Sequence, residues 1–238
     1  MPNIASIIVN SEDLGIDLFV SLSGRFYTFL NPVSYLDALE RKELFRQFDG
    51  VFADGSFLVT AILLLYGKRV TRRSFDMTSM AEQLFSYAHI NGKSIYIVAS
   101  MQEQVERAVW VLQQRYPSLN IIGYRNGYFA DEAEENSEIL KIVGMNPDFL
   151  IVGMGIVKQE EFMLKVKKAG FKGIGFTCGG FIHQIGMNNE IDYYPKWIDR
   201  FNLRFLYRMW KEPHTRKRYL KAAVVFPLRF CRERLTGY

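Results

Sequence analysis

Short apolar runs alternate with longer stretches of helical periodicity through most of this chain. Phe26–Leu30 and Gly50–Ala53 read as buried strands, separated by a helical stretch over 34–48 that gathers Leu36, Leu39, Leu44 and Phe45 near one face. From residue 94 the alternation is regular. It predicts strands at Ser94–Ala99, 120–123, 149–152 and 173–176, and helices at 102–116, 131–143 and 158–169, the last stopped by Gly170. Strands alternating with helices of about 10–15 residues define βαβ units on a parallel sheet. On such sheets ligands bind beyond the carboxyl ends of the strands.

Composition narrows the class. With 238 residues, 49% hydrophobic and 23% charged, the chain has the apolar material for an ordered core, which excludes whole-chain disorder. Its length fits one large domain, or one domain with an appendage. Cys178 and Cys231 are the only cysteines, so a disulfide scaffold is excluded and a reducing cytoplasm expected. No run approaches the roughly 18–20 apolar residues of a spanning helix; the best, 57–66, is too short. The N-terminus carries no basic n-region of a secretory signal.

The overall charge of +5 conceals a split. Residues 196–238 hold twelve Lys and Arg against Asp199, Glu212 and Glu233, a net +9, leaving −4 for the rest. A basic tail on a slightly acidic body points to nucleic acid, an anionic membrane surface or phosphate ligands. Arg200, Arg204, Arg208 and Lys211 recur at helical spacing, with Phe201, Phe205, Leu206, Met209 and Trp210 between them. Beyond Pro213 stand Arg216, Lys217 and Arg218, then Arg229, Arg232 and Arg234 among apolar residues. Such a basic, aromatic-laced segment suits an interfacial membrane helix; a helix packed on the domain with a basic outer face is the plainer alternative.

Three strand ends carry chemistry. Asp54-Gly55, after the strand 50–53, sets a carboxylate where desolvation raises its pKa toward that of a useful base; a simple Asp-Gly turn is the alternative. Gly153-Met154-Gly155 gives backbone N–H groups close approach to a phosphate at a helix N-terminus, but the third glycine of the dinucleotide fingerprint is missing. Cys178-Gly179-Gly180 is a second close-approach loop, with Cys178 read as a packed thiol. His89, His183 and His214 are far apart in sequence, no metal-ligand spacing exists, and no Asp-x-Asp occurs. No metal and no cofactor are expected.

Taken in order, these residues resemble the WecG/TagA/CpsF family of glycosyltransferases in bacterial surface-polysaccharide assembly, from about residue 31 to 219. The most specific stretch runs from Leu150 to Glu160 and is similar to the family's strand–G-x-G-x-P-K-Q-E element, with Val157 where Pro is usual. Around it lie Asn31, Ala53-Asp54-Gly55, Arg72 with Asp76, Gly123 with Gly127-Tyr128-Phe129, Pro195-Lys196-Trp197, Leu206-Tyr207-Arg208 and Glu212-Pro213. The resemblance implies a Rossmann-like core, 1–195, with a basic helical C-terminal appendage, 196–238, that touches membrane and helps close the site.

It further implies inverting, metal-independent transfer from a nucleotide sugar, UDP-linked by expectation, to a polyprenyl-diphosphate-linked saccharide in exopolysaccharide, capsule or teichoic-acid-type synthesis. Asp54 is the implied general base. The implied substrate-binding residues are Thr28, Asn31, Arg72, Asp76, Gly153, Gly155, Lys158, Gln159, Glu160, Gly179, Gly180, Arg208, Arg216 and Arg218. Several positions depart from the family pattern. Its threonine two residues before the asparagine is Phe29 here, with Thr28 one place off; its aspartate after the last strand is Ile182. Tyr193-Tyr194 replaces Arg-Ala, Arg204-Phe205 replaces Glu-Trp, and Thr215 replaces an arginine beside Arg216.

The implied partners are the donor, the lipid-linked acceptor and the anionic inner face of the plasma membrane, with no nucleic acid; a homo-oligomer is left open. Two other classes compete. A nucleotide-dependent oxidoreductase rests on Gly153-x-Gly155 alone. A non-enzymatic binder of nucleic acid or anionic surfaces rests on the tail, without any nucleic-acid-reading motif.

Overall fold

The computed structural model describes residues 3–11, 24–188, 191, 195, 197–198 and 203–236, the side chain of His214 excepted. In chain order these form α1 (Ile4–Asn10), β1 (Phe26–Leu30), α2 (Pro32–Leu39), α3 (Lys42–Phe45), β2 (Gly50–Ala53), α4 (Ser56–Tyr66), α5 (Met80–Asn91), β3 (Ser94–Ala99) and α6 (Gln102–Arg115). There follow β4 (Asn120–Arg125), α7 (Glu132–Met145), β5 (Phe149–Gly153), α8 (Lys158–Lys168), β6 (Ile174–Thr177), α9 (Phe181–Asn188), α10 (Arg204–Lys211), a single 3-10 turn (Pro213–Thr215) and α11 (Arg216–Thr236).

The six strands pair in parallel in the order β2-β1-β6-β5-β3-β4, as the α/β reading expected. β2, β5 and β6 are buried along their whole length, which is why they read as unbroken apolar runs rather than alternating ones. One apolar layer sets Tyr27, Phe52, Ile97 and Phe176 against α5, α6 and α9. The other sets Phe26, Leu30, Val51 and Val98 against α1, α2, α8 and α11.

Two departures from the periodicity have physical causes. The single helix expected over 34–48 is two helices. Its true start is Asn31, whose side chain accepts from the N–H groups of Val33 and Ser34 while the Ser34 hydroxyl accepts from Asn31 N–H, with Pro32 in the first turn. After Leu39 the chain turns, so that Phe45 and Phe48 stack in the second layer. The second departure is α4, unread because SFLVTAILLLY has no polar face to reveal a period. Only Leu58 and Ile62 of α4 are buried; Phe57, Leu63 and Leu64 are exposed. No helix among the described residues is long and apolar enough to cross a membrane.

The basic C-terminal segment ends in α11, 21 residues long despite Pro227, and this helix lies on the core. Ala222, Phe226, Phe230 and Glu233 are its buried face. Glu233 is nearly inaccessible and fully engaged: it accepts from Tyr35 O–H and from Ile4 N–H (2.9 Å), with Lys42 Nζ at 3.8 Å. Phe230 packs edge-on against Tyr35 (5.3 Å) and near Tyr66 (5.7 Å).

Candidate active site

The carboxyl ends of β1, β2, β3, β5 and β6 open onto one cleft of about 1540 Å³, lined there by Asn31, Asp54, Ser100, Gly153 and Gly179. Asp54 leaves β2 with its N–H still bonded to Leu30 O (2.8 Å) and is followed by Gly55 at φ +89, a left-handed conformation suited to glycine. Gly55 turns the chain directly into α4. After α4 the chain returns to the same strand end, where Arg73 N–H bonds Ala53 O (3.0 Å), and this return delivers Arg72 to the carboxylate.

Arg72 Nη2 lies 3.9 Å from Asp54 Oδ1 and 3.2 Å from Asp76 Oδ2. Asp76 is the hub: it accepts from Ser74 Oγ (2.6 Å), Thr78 Oγ1 (2.7 Å) and Thr78 N–H (2.8 Å), and pairs with Arg204. Burial pulls Asp76 upward, but Arg204, the Ser74 and Thr78 hydroxyls and Arg72 outweigh it and hold its carboxyl below the usual range. Asp54 differs. Burial, then repulsion from Asp76, pushes it up to about 6 against the opposing pull of Arg72, Arg204 and Arg208. Two neighbouring carboxylates thus hold different protonation properties, the pattern that separates a base from a structural anion. Replacing Arg72 with Ala removes a cation from Asp54, so the acid limb of any reaction using this base should move above pH 6. Activity at pH 6 should then fall more than at pH 8, read from pH–rate profiles of both proteins.

The loop after β5 is bent hard. Gly153 has no room for a side chain, since a Cβ there would lie 2.6 Å from Cys178 Sγ and 2.9 Å from Gly179 O. Val157 stands at φ +73, ψ −53, a strained conformation for a β-branched residue. A proline, with φ fixed near −65°, cannot adopt it, so Val157 and proline are not interchangeable in this turn. Glu160 caps α8 by accepting from Val157 N–H (2.7 Å) and also accepts from Thr28 Oγ1 and Gln159 Nε2, both at 2.8 Å. Burial raises the Glu160 carboxyl despite these donors. Gln159 faces the cleft almost wholly buried, and its Oε1 has no partner among the described residues. An unmet buried acceptor costs about 1–3 kcal/mol, which a ligand N–H or O–H would relieve.

The expected substrate-binding set therefore divides. Asn31, Arg72, Asp76, Gly153, Gly155, Gln159, Gly179, Gly180, Arg208 and Arg218 line the cleft with Asp54. Asn31 spends its side-chain oxygen on capping α2, which leaves Nδ2 as its donor. Thr28 and Glu160 do not line it: both are fully buried and joined to each other, with Thr177 Oγ1 donating to Thr28 (2.9 Å), so they support the loop beneath Gln159. Phe29, on the opposite face of β1, is the residue that reaches the cleft. Lys158 is exposed outside it, and Arg216 turns back to bond Met209 O (2.7 Å). Ile182 is core, and Thr215 bonds Glu212 O.

The arginine stripe also reads differently in space. Arg204 and Arg208 turn into the cleft, onto Asp76 and Glu212 (3.4 Å), rather than outward, while Arg208 lies over Gly180. Tyr193, Tyr194, Lys196, Arg200 and Phe201 fall outside the described residues. Cys178 is a packed thiol, pushed up to about 12 by burial. Sequence reasoning missed Arg204 as a cleft residue and also Ser100, which sits at φ +56 with its hydroxyl against Gln104 and 3.4 Å from His183 Nδ1. Ser100 and His183 stand 83 residues apart, and only the fold joins them.

The fold is α/β, and beyond the sheet's carboxyl edge its cleft gathers a carboxylate of raised basicity and several arginines. The model of the glycosyl transferase WecG/TagA/CpsF family matches residues 16–238, and the chain belongs to this family. It is 34% identical over 208 residues, 87% of this chain and 86% of the relative, to a UDP-Gal:alpha-D-GlcNAc-diphosphoundecaprenol beta-1,4-galactosyltransferase of Shigella boydii. It is 26% identical over 167 residues, 70% of this chain and 63% of the relative, to an N-acetylglucosaminyldiphosphoundecaprenol N-acetyl-beta-D-mannosaminyltransferase of Staphylococcus aureus. The protein is a glycosyltransferase, and the oxidoreductase reading is set aside.

Proposed function

We propose that this glycosyltransferase moves a sugar from a UDP-sugar to a saccharide carried on a polyprenyl diphosphate, by one inverting displacement with Asp54 as general base and without a metal ion. The observation that carries the reading is Asp54 itself: a carboxylate at a strand end, facing the cleft, with a pKa raised to about 6. At neutral pH it is ionised yet more basic than a free aspartate. It takes the proton of the acceptor hydroxyl as the oxygen attacks the anomeric carbon, and the bond to the nucleoside diphosphate breaks on the opposite side.

The leaving diphosphate gains negative charge in that step. Arg72, Arg208 and Arg218 line the same cleft and offer charged, paired N–H donors to it. With this much positive charge in place, EDTA should leave turnover unchanged; inhibition reversed by Mg²⁺ or Mn²⁺ would contradict the metal-free reading. Both relatives are named for diphosphoundecaprenol acceptors, which supports a lipid-linked acceptor here.

Residues 196–238 act in this reading as the membrane-facing segment. On α11 the exposed Leu220, Val224 and Leu228 recur at every fourth position, flanked by Lys217, Lys221 and Arg232. That is the pattern of a helix lying in an anionic interface, on the cytoplasmic face of the plasma membrane. The test is a donor screen, UDP-galactose and UDP-N-acetylmannosamine side by side, with a GlcNAc-diphospholipid acceptor in EDTA. Transfer from one of them is expected; binding of neither donor would overturn the reading.

A further inference from the structure

Beyond the strand ends the cleft changes character. It continues between α4 and α11, where its walls are Phe57, Ala61 and Leu64 on one side and Leu220, Ala223 and Pro227 on the other, with Phe226 and Phe230 between. α4 is held at both ends of this stretch, by α10 at one and by α11 at the other. Near the catalytic end the Phe57 ring meets Phe205 edge-on (5.4 Å). At the far end Arg234 Nε donates to Leu65 O (3.1 Å) and its guanidinium covers the Tyr66 ring. Small residues, Ala61 and Ala223, stand where the walls face the gap. α4 starts two residues after Asp54 and, at 11 residues, runs about 16 Å from it.

We propose that this apolar stretch is the subsite for the polyprenyl chain of the acceptor. The inference rests on the lipid-linked acceptor reading given above and names where its lipid lies. Three features select this occupant. The cleft is polar and cationic at Asp54, Arg72 and Arg208 and apolar along α4 and α11, an order that matches a molecule with a diphosphate–saccharide head and a hydrocarbon tail. The apolar stretch is continuous with the catalytic end, so head and tail are bound at once. Its α11 wall adjoins the exposed Leu220, Val224 and Leu228 stripe, so the chain passes from the groove to the bilayer without crossing a polar surface. Burying a single apolar chain there also covers exposed side chains such as Phe57 and Leu64.

The test uses the full chain in detergent micelles with a polyprenyl diphosphate carrying a photo-reactive group on one of the first isoprene units beside the diphosphate. Labelling should map to peptides from 56–66 and 216–231. It should be displaced by unlabelled polyprenyl diphosphate and not by phosphatidylglycerol. Ala223→Trp, at an exposed position, should cut labelling by about tenfold, the equivalent of losing roughly two buried CH₂ groups. Ala61→Trp provides the same block from the other wall, with thermal melts confirming that each variant folds. In transfer assays the same variants should lower the ratio of kcat/KM for a long-chain over a geranyl-length acceptor. Equal labelling of parent and both variants, or labelling confined to the outer stripe, would overturn the proposal. Displacement by phosphatidylglycerol would also overturn it, assigning the groove to a membrane phospholipid. Photolabelling needs no catalysis, so correct labelling without sugar transfer would support the groove while contradicting the transferase reading.

Discussion

Asp54→Asn is expected to lower kcat by about 10²–10⁴-fold, the usual worth of a positioned general base. The amide keeps the shape of the side chain, so KM for the donor should change little. The same substitution should stabilise the fold. The folded carboxyl titrates at about 6, above its unfolded value of 3.8, so its ionised form is disfavoured by folding. That cost is absent below the unfolded value and complete above pH 6. It amounts to about 1 kcal/mol once screening at the open cleft is allowed for. Asp54→Asn should therefore melt higher than the parent at pH 8 and equally at pH 3.5. Loss of activity with that pattern of gain identifies a residue kept for chemistry rather than stability. A variant that turns over at the parental rate would remove Asp54 from the mechanism.

Phe230→Ala should have the largest effect on stability. The ring is buried among Tyr35, Tyr66 and Phe226, and truncating such an aromatic costs about 3–5 kcal/mol. That is a large share of the 5–15 kcal/mol typical of a whole domain. The change also loosens α11, which carries Arg218 to the cleft, so turnover should fall even where the protein remains folded. Val224→Ser on the exposed side of the same helix should shift stability by no more than about 0.5 kcal/mol while weakening liposome attachment. Urea titrations read the first comparison and vesicle sedimentation the second. A Phe230→Ala cost below about 1 kcal/mol would mean that α11 does not lie on the core as described.

How legible was this in the chain? The parallel sheet was, because buried strands leave continuous apolar runs and the helices between them keep a 3.6-residue period. β1, β2 and β3 fall where the pattern put them. Asp54 and the Gly153–Gly155 turn line the cleft where strand ends and glycine turns leave marks in sequence, while Gln159 was singled out by the family resemblance. Hidden from the sequence was everything that depends on side-chain direction. Thr28 and Phe29 are adjacent, yet the pleat sends one beneath the site and the other into it. Arg204 looked like surface charge until its ion pair with Asp76, 128 residues away, placed it in the cleft. α4 was unreadable as a helix, being apolar all round, and that same property makes it the wall of a groove.

The most direct test of the account is the pH dependence of kcat/KM for transfer from a UDP-sugar to a GlcNAc-diphospholipid. With Asp54 as the base, the rate should rise with a single limb near pH 6 and level off above it, since only the ionised carboxylate accepts the proton. A rate that is flat from pH 5 to pH 8 would contradict the assignment of Asp54 as the catalytic base.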